Sequence, residues 1–263
     1  MSIQQFFENP ELQKFFLIFA RLSGIVVFAP PFLNTRLSLQ LKGGLVFFLA
    51  IAIFPTVNMG KVTMPDNFIE LAFFMFFELA IGFFIGFSVE LLFMAFQLAG
   101  EFIDRDIGFA MASLVDPQTD ITVSILGSLL MNLGLFLFLD LNGHLWLIES
   151  YAGSFLHLPL LDYNISTAGL LHHMSGLFLA SFKFAIEFSI PIIILMILIY
   201  ATQAFIQRTI PQLQIFVVGI IFTISVGLIS VRILLLHFTT VSEDLIDHFQ
   251  REIWFMITHL RDG

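Results

Sequence analysis

The chain has 263 residues, of which 58% are hydrophobic and 12% charged, with a formal charge of −9 and a mean hydropathy of +0.96. A soluble domain carries roughly 25% charged residues, so this composition excludes one and requires an integral membrane protein with several spans and no large soluble domain. The acidic balance argues against nucleic acid and against a polybasic lipid anchor, and the absence of cysteine removes disulfides, thiolate metal sites and cysteine nucleophiles.

Glu8 and Glu11 precede the first lysine, Lys14. That is the wrong sign for the start of a signal peptide, so the first apolar segment is expected to be retained. A span needs about 20 mainly apolar residues. The first candidate runs from Phe15 to about Leu33, ending at Pro30-Pro31, and the second from Gly43 to about Val57, between Lys42 and Lys61. The third, Phe68 to about Ala99, is too long for one upright helix. A charged, turn-rich stretch follows from Glu101 to Asp120. The fourth span covers Ile121 to about Leu141, and a long connector reaches His173. The fifth covers Met174 to about Ile206, with a kink expected at Pro191. The sixth covers Ile215 to about Phe238. Ser242 is placed to cap a last helix with Glu243 and Asp244 in its first turn. Leu245, Phe249, Ile253, Met256 and Leu260 give that helix one apolar stripe, which suits docking.

Eight ionisable residues interrupt these runs: Arg21, Glu70, Glu78, Glu90, Asp140, Lys183, Glu187 and Arg232. Each costs roughly 2.5 to 3.5 kcal/mol at mid-membrane on insertion scales unless it finds a partner or water. Eight such costs exclude greasy helices facing lipid. The helices are expected to face one another, other subunits or an aqueous path, so the chain reads as a conduit or part of one.

The loop charges do not orient the chain. With the N-terminus outside, Arg36, Lys42, Arg105 and Arg208 fall inside, while Lys14, Lys61, Arg251 and Arg261 fall outside, and the tie speaks for atypical insertion.

Gly82-x-x-x-Gly86 and Ala20-x-x-x-Gly24 have the spacing that lets helix backbones approach closely, although such spacings also arise by chance in apolar helices. Lys183 and Glu187 stand one turn apart, placed to neutralise each other or to relay a proton. Glu70, Glu78 and Glu90 spread around their helix at 100° per residue, so they do not form a carboxylate cluster. The seven histidines show no ligand spacing, and His172-His173 is an adjacent pair pointing in different directions. With no phosphate loop and no nucleophile elbow either, the sequence argues for no enzyme, no metal and no cofactor.

The most unusual stretch is Glu101 to Asp120. It opens on Asp104-Arg105-Asp106, continues as Gly108, Phe109, Ala110, Met111, Ala112, Ser113, Leu114 and Val115, and closes at Asp116-Pro117. Small residues permit close approach and methionine adapts to irregular gaps, which suits a loop packed into a narrow opening. An ordinary buried re-entrant hairpin is the other reading, since irregular backbone at membrane depth needs protein or a water-filled cavity around it.

Several of these residues together carry a resemblance. Arg21-Leu-Ser-Gly24 followed by Ala29-Pro30, then Gln97-Leu-Ala-Gly-Glu101, Gly108 through Gln118, Leu141-Asn-Gly-His144, and Pro211-Gln-Leu-Gln-Ile-Phe216 with Gly219 resemble the FliR family of flagellar export-gate proteins, in the right order from about residue 14 to 240. The Asp-Pro-Gln and Leu-Asn-Gly-His elements are more flagellar than virulence-system in flavour. Gln214 and Ile220-Ile221-Phe222 depart from the family, which often has Asn at the first position and a proline after Gly219.

The resemblance implies an all-α membrane protein of long helical hairpins, with about six apolar segments, rather than a plain six-span bundle. It implies a FliP-like part over 14–170, with a pore loop near 101–120, and a FliQ-like hairpin over 174–240. An amphipathic helix over 241–263 completes the chain. It further implies a non-enzymatic subunit of a FliP–FliQ–FliR gate in the bacterial inner membrane, at the flagellar basal body, passing unfolded flagellar subunits. Gly108 to Val115 would help plug the closed pore, and FlhB and FlhA would be neighbours. The equivalent subunit of a virulence secretion system and a proton-coupled solute transporter are the alternatives.

Overall fold

In the computed structural model the described residues are 9–28, 38–57, 65, 67–109, 124–161, 166–209 and 215–259. They form an all-helical protein without strands: α1 (Pro10–Phe28), α2 (Leu39–Ile53), α3 (Phe68–Ile107), α4 (Ile125–Asp140), α5 (Gly143–His157), α6 (Thr167–Thr209), α7 (Ile215–Leu235) and α8 (Phe238–His259). α3 and α6, of 40 and 43 residues, are each long and apolar enough to cross a membrane. The number of candidate spans rises to four if the bent pairs α4–α5 and α7–α8 each count as one.

Local chemistry sets several boundaries. Ser38 accepts a hydrogen bond from Leu41 N at 3.4 Å and caps α2. Glu70 in the first turn of α3 and Arg105 in its last complement the helix dipole. Asn142, at φ 57°, turns the chain from α4 into α5; asparagine is among the few side chains that enter the left-handed region readily. α6 runs unbroken through Pro191.

Two expectations are corrected. The connector after Leu141 holds a full helix, α5. Ser242 caps nothing: α8 begins at Phe238, directly after the tight turn at Leu236-His237, and Ser242 lies buried inside it. The stripe of α8 is nonetheless buried at Leu245, Phe249, Ile253 and Met256, while Leu260 lies outside the described residues.

The chain divides into two compact units. The first holds α1, α2, α3 as far as Leu91, α5, the start of α6 to Leu177, and α8 from His248. Its core is α1 against α3. Leu17, Ile18, Leu22, Ile25 and Val26 are fully buried, and Phe28 meets Phe83 edge-on at 4.5 Å. A Cβ on Gly24 or Gly82 would overlap backbone atoms of the opposite helix, and one on Gly86 would lie 2.6 Å from Ile25 O. Both small-residue motifs therefore serve a single crossing, and no larger side chain fits it. Lys14, only 7% exposed, lies over the Phe54 ring.

The second unit holds α3 from Leu92, α4, α6 from Phe178, α7 and α8 to Asp247. Phe96 is its hub, 5.3 Å from Phe184 and 5.6 Å from Phe238 between ring centroids. Gly134 leaves room for the Phe96 ring on α4, and Gly100 and Gly127 bring the backbones of α3 and α4 together.

Candidate functional site

The charges foreseen in the apolar runs receive very different surroundings. Arg21 and Glu78 are fully buried in the first unit. The Arg21 Nε donates to Glu78 Oε2 at 2.6 Å and Nη2 lies 2.6 Å from the same oxygen. Nη1 donates to the carbonyls of Ser154 at 3.1 Å and Leu158 at 2.8 Å, at the C-terminal end of α5. Glu78 Oε1 accepts from Leu161 N at 3.3 Å. The Phe155 ring lies 4.5 Å from the guanidinium carbon. One cation thus serves a carboxylate from α3 and two carbonyls at the C-terminal end of α5, a geometry that guanidinium provides and an ammonium does not. This knot fixes α1, α3 and α5 to one another within the unit.

Glu90 is half-buried in α3. Glu70, Asp140 and Arg232 are exposed. Lys183 and Glu187 lie 3.8 Å apart on α6 with both side chains exposed. His172 and His173 turn apart, at 70° between ring planes, and His173 Nδ1 lies 3.5 Å from Glu252 Oε2. Among the described residues no three His, Asp or Glu side chains gather as metal ligands.

The second unit contains the base of the segment expected to plug a pore. Gly108 leaves α3 at φ 92°, a conformation that suits glycine, and Gly108 N and Phe109 N both donate to Asp104 O at 3.2 Å. Ala110, Met111, Ala112, Ser113, Leu114 and Val115 lie outside the described residues. The chain returns at Ser124, where Asp104 Oδ2 accepts from Ile125 N at 2.9 Å and so caps α4. Tyr200 of α6 donates its hydroxyl to Asp106 O at 2.5 Å. A Cβ on Gly227 would lie 2.6 Å from Ile107, so α7 also packs tightly on this end of α3.

Two of these residues were not singled out from sequence. The partner of Asp104 is the backbone of Ile125, a pairing without a local signal. Tyr200 did carry one: it is a polar tip in an otherwise apolar run, an apolar body with one hydroxyl to place.

Residues 12–249 match the family described as bacterial export proteins, family 1. The chain is similar to proteins named flagellar biosynthetic protein FliR. It is 31% identical over 232 residues to that of Pectobacterium carotovorum, covering 85% of each chain. To that of Escherichia coli it is 30% identical, covering 82% of each. It is also 25% identical over 229 residues to the surface presentation of antigens protein SpaR of Shigella flexneri, covering 84% of this chain and 85% of the other.

Proposed function

The chain belongs to family 1 of the bacterial export proteins, and from that premise we propose that it is a structural and gating subunit of a flagellar type III export channel. On this reading it helps to form, and at rest to close, the pore that passes unfolded flagellar subunits across the inner membrane at the basal body. Its partners are FliP-like and FliQ-like subunits, with FlhB and FlhA beside them. The part over 14–170 acts as the FliP-like portion and 174–240 as the FliQ-like hairpin.

The observation that carries the proposal is the coexistence of a buried, hydrogen-bonded Arg21–Glu78 pair with large apolar side chains on the outside. Phe48 is 71% exposed, Phe205 72% and Leu236 75%. α6 and α7 also carry exposed charges, so these helices suit neither water nor hydrocarbon, and protein partners are the remaining cover. The pinned base of the segment after Gly108 supports its assignment as the plug: its two ends are fixed to each other while 110–115 would span the opening.

The same subunit of a virulence system is the second reading, favoured by the similarity to SpaR. The higher identity to flagellar relatives and the Asp-Pro-Gln and Leu-Asn-Gly-His elements favour the flagellar one. Co-purification with a tagged copy tests both. FliP-like and FliQ-like proteins in fixed ratio, with loss of motility on deletion, are expected. A monodisperse monomer that binds a small solute would overturn the proposal in favour of a transporter.

A further inference from the structure

Tyr200 and Gln203 stand three residues apart on α6 and therefore neighbour each other on one helix face. Within the second unit, each reaches a main-chain carbonyl of a different helix. The Tyr200 hydroxyl donates to Asp106 O at 2.5 Å, in the last turn of α3, where carbonyls lack an intrahelical donor. A Cβ on Gly108 would lie 4.0 Å from the same hydroxyl, so Tyr200 stands beside the residue at which the chain leaves α3. Gln203 Nε2 donates to Gly219 O on α7 at 3.3 Å. A Cβ on Gly219 would lie 3.1 Å from Gln203 Oε1, so glycine lets the amide lie flush on the α7 backbone. Thr223 sends its hydroxyl to Gly219 O at 3.1 Å and to Ile220 O at 2.9 Å, a back-bonding that bends helices. About two turns further along α7, Gly227 meets Ile107 and closes the figure.

The end of α3 is thus held in a closed triangle. Tyr200 ties α6 to α3, Gln203 ties α6 to α7, and Ile107 against Gly227 ties α7 to α3. We infer that Gln203 is a positioning residue for the gate: it fixes α6 where Tyr200 can hold the last turn of α3, and so keeps the segment after Gly108 seated. It acts through Tyr200 and not on the segment itself. Both arms of the tie are single hydrogen bonds between neutral groups, made by partly exposed side chains. Such bonds add little net stability each, so the tie can part without unfolding the unit, as a closure that must yield to a passing chain requires. A buried charged pair such as Arg21–Glu78 is not released so readily. The inference rests on the reading of that segment as the plug and adds how its base is held.

Gln203→Met keeps the length of the side chain and removes its donor. In vesicles carrying the assembled complex, resting ion permeability should rise about fivefold, the change in an open-to-closed ratio that one net hydrogen bond provides. The yield of assembled complex should stay that of the wild type. The double variant with Tyr200→Phe should leak no more than Tyr200→Phe alone, since both changes part the same tie. Leaks that multiply in the double variant would show two independent residues and overturn the inference. Unchanged permeability of Gln203→Met would do the same, and a lower yield of complex would make Gln203 scaffold instead. Because the chain has no cysteine, nitroxides on Leu129→Cys in α4 and Phe205→Cys in α6 report the end of α6 without background. Their distance distribution should broaden when Gln203→Met is added; an unaltered width would mean that Gln203 holds nothing in place. A complex that stays ion-tight after deletion of Gly108 to Val115 overturns the plug reading itself, whereas a leaking deletion beside a tight Gln203→Met variant overturns only the role of Gln203.

Discussion

Arg21 and Glu78 meet on a single oxygen: Nε and Nη2 of the arginine both lie 2.6 Å from Glu78 Oε2, although the two residues stand 57 positions apart in sequence. The remaining carboxylate oxygen is turned to Leu161 N and the remaining guanidinium nitrogen to α5. A buried pair bonded to this many groups has large consequences when only one side is removed.

Arg21→Ala or Glu78→Gln should each destabilise the first unit by about 3 to 5 kcal/mol, as for other broken buried pairs, because each leaves polar groups buried without partners. The double change Arg21→Met with Glu78→Leu should cost less than either single change. Steady-state abundance in membranes and the thermal unfolding midpoint in detergent are the readouts. Additive losses in the double variant would show that the two residues act independently.

The crossing of α1 and α3 makes a second test. Gly82→Ala puts a methyl group into the Arg21 carbonyl and should cost about 1 to 3 kcal/mol as the helices move apart. Gly176→Ala meets nothing within 4 Å, and should be neutral or stabilise by up to about 1 kcal/mol through helix propensity. Parallel melting curves decide; equal effects at the two positions would contradict the close approach.

The base of the proposed plug can be loosened without touching the plug. Asp104→Ala removes the acceptor for Ile125 N, whereas Asp104→Asn keeps an acceptor oxygen in place. The alanine variant should leak ions on overproduction, seen as membrane depolarisation, and the asparagine variant should leak less. Tyr200→Phe loses one hydrogen bond to Asp106 O, a net effect of about 1 kcal/mol, and should leak mildly.

Deleting Gly108 to Val115 should leave the assembly intact but ion-permeable, slowing growth on overproduction. A potential of 100 mV drives each charge with about 2.3 kcal/mol, so an unplugged pore is readily detected. Loss of assembly, or a deletion complex that stays ion-tight, would make the segment scaffold and place the seal in another subunit.

Local spacing foretold the Lys183–Glu187 pair and the apolar stripe of α8, because both depend on residues one turn apart. It also marked Gly82, Gly86 and Gly24 as contact residues, but not that they meet one another. For Arg21 and Glu78, sequence stated that each charge needs a partner; which partner depends on how α1, α3 and α5 assemble. α5 was missed because Gly143, Ser150, Gly153 and Ser154 dilute its apolar pattern, and these are the residues that let it pack closely. The start of α8 was misjudged because the chain turns at Leu236-His237, where no glycine or proline marks the corner.

α3 and α6, at 40 and 43 residues, extend to roughly 60 and 65 Å at 1.5 Å per residue, about twice the 30 Å of a hydrocarbon layer. A helix that overshoots the film this far stays helical wherever along its axis the lipid grips it. Bilayer thickness therefore cannot set the protein's height, and mismatch with thin or thick membranes should neither strain nor sort it. Its height is a property handed to it by its neighbours, so the same chain would ride at different levels alone and in company.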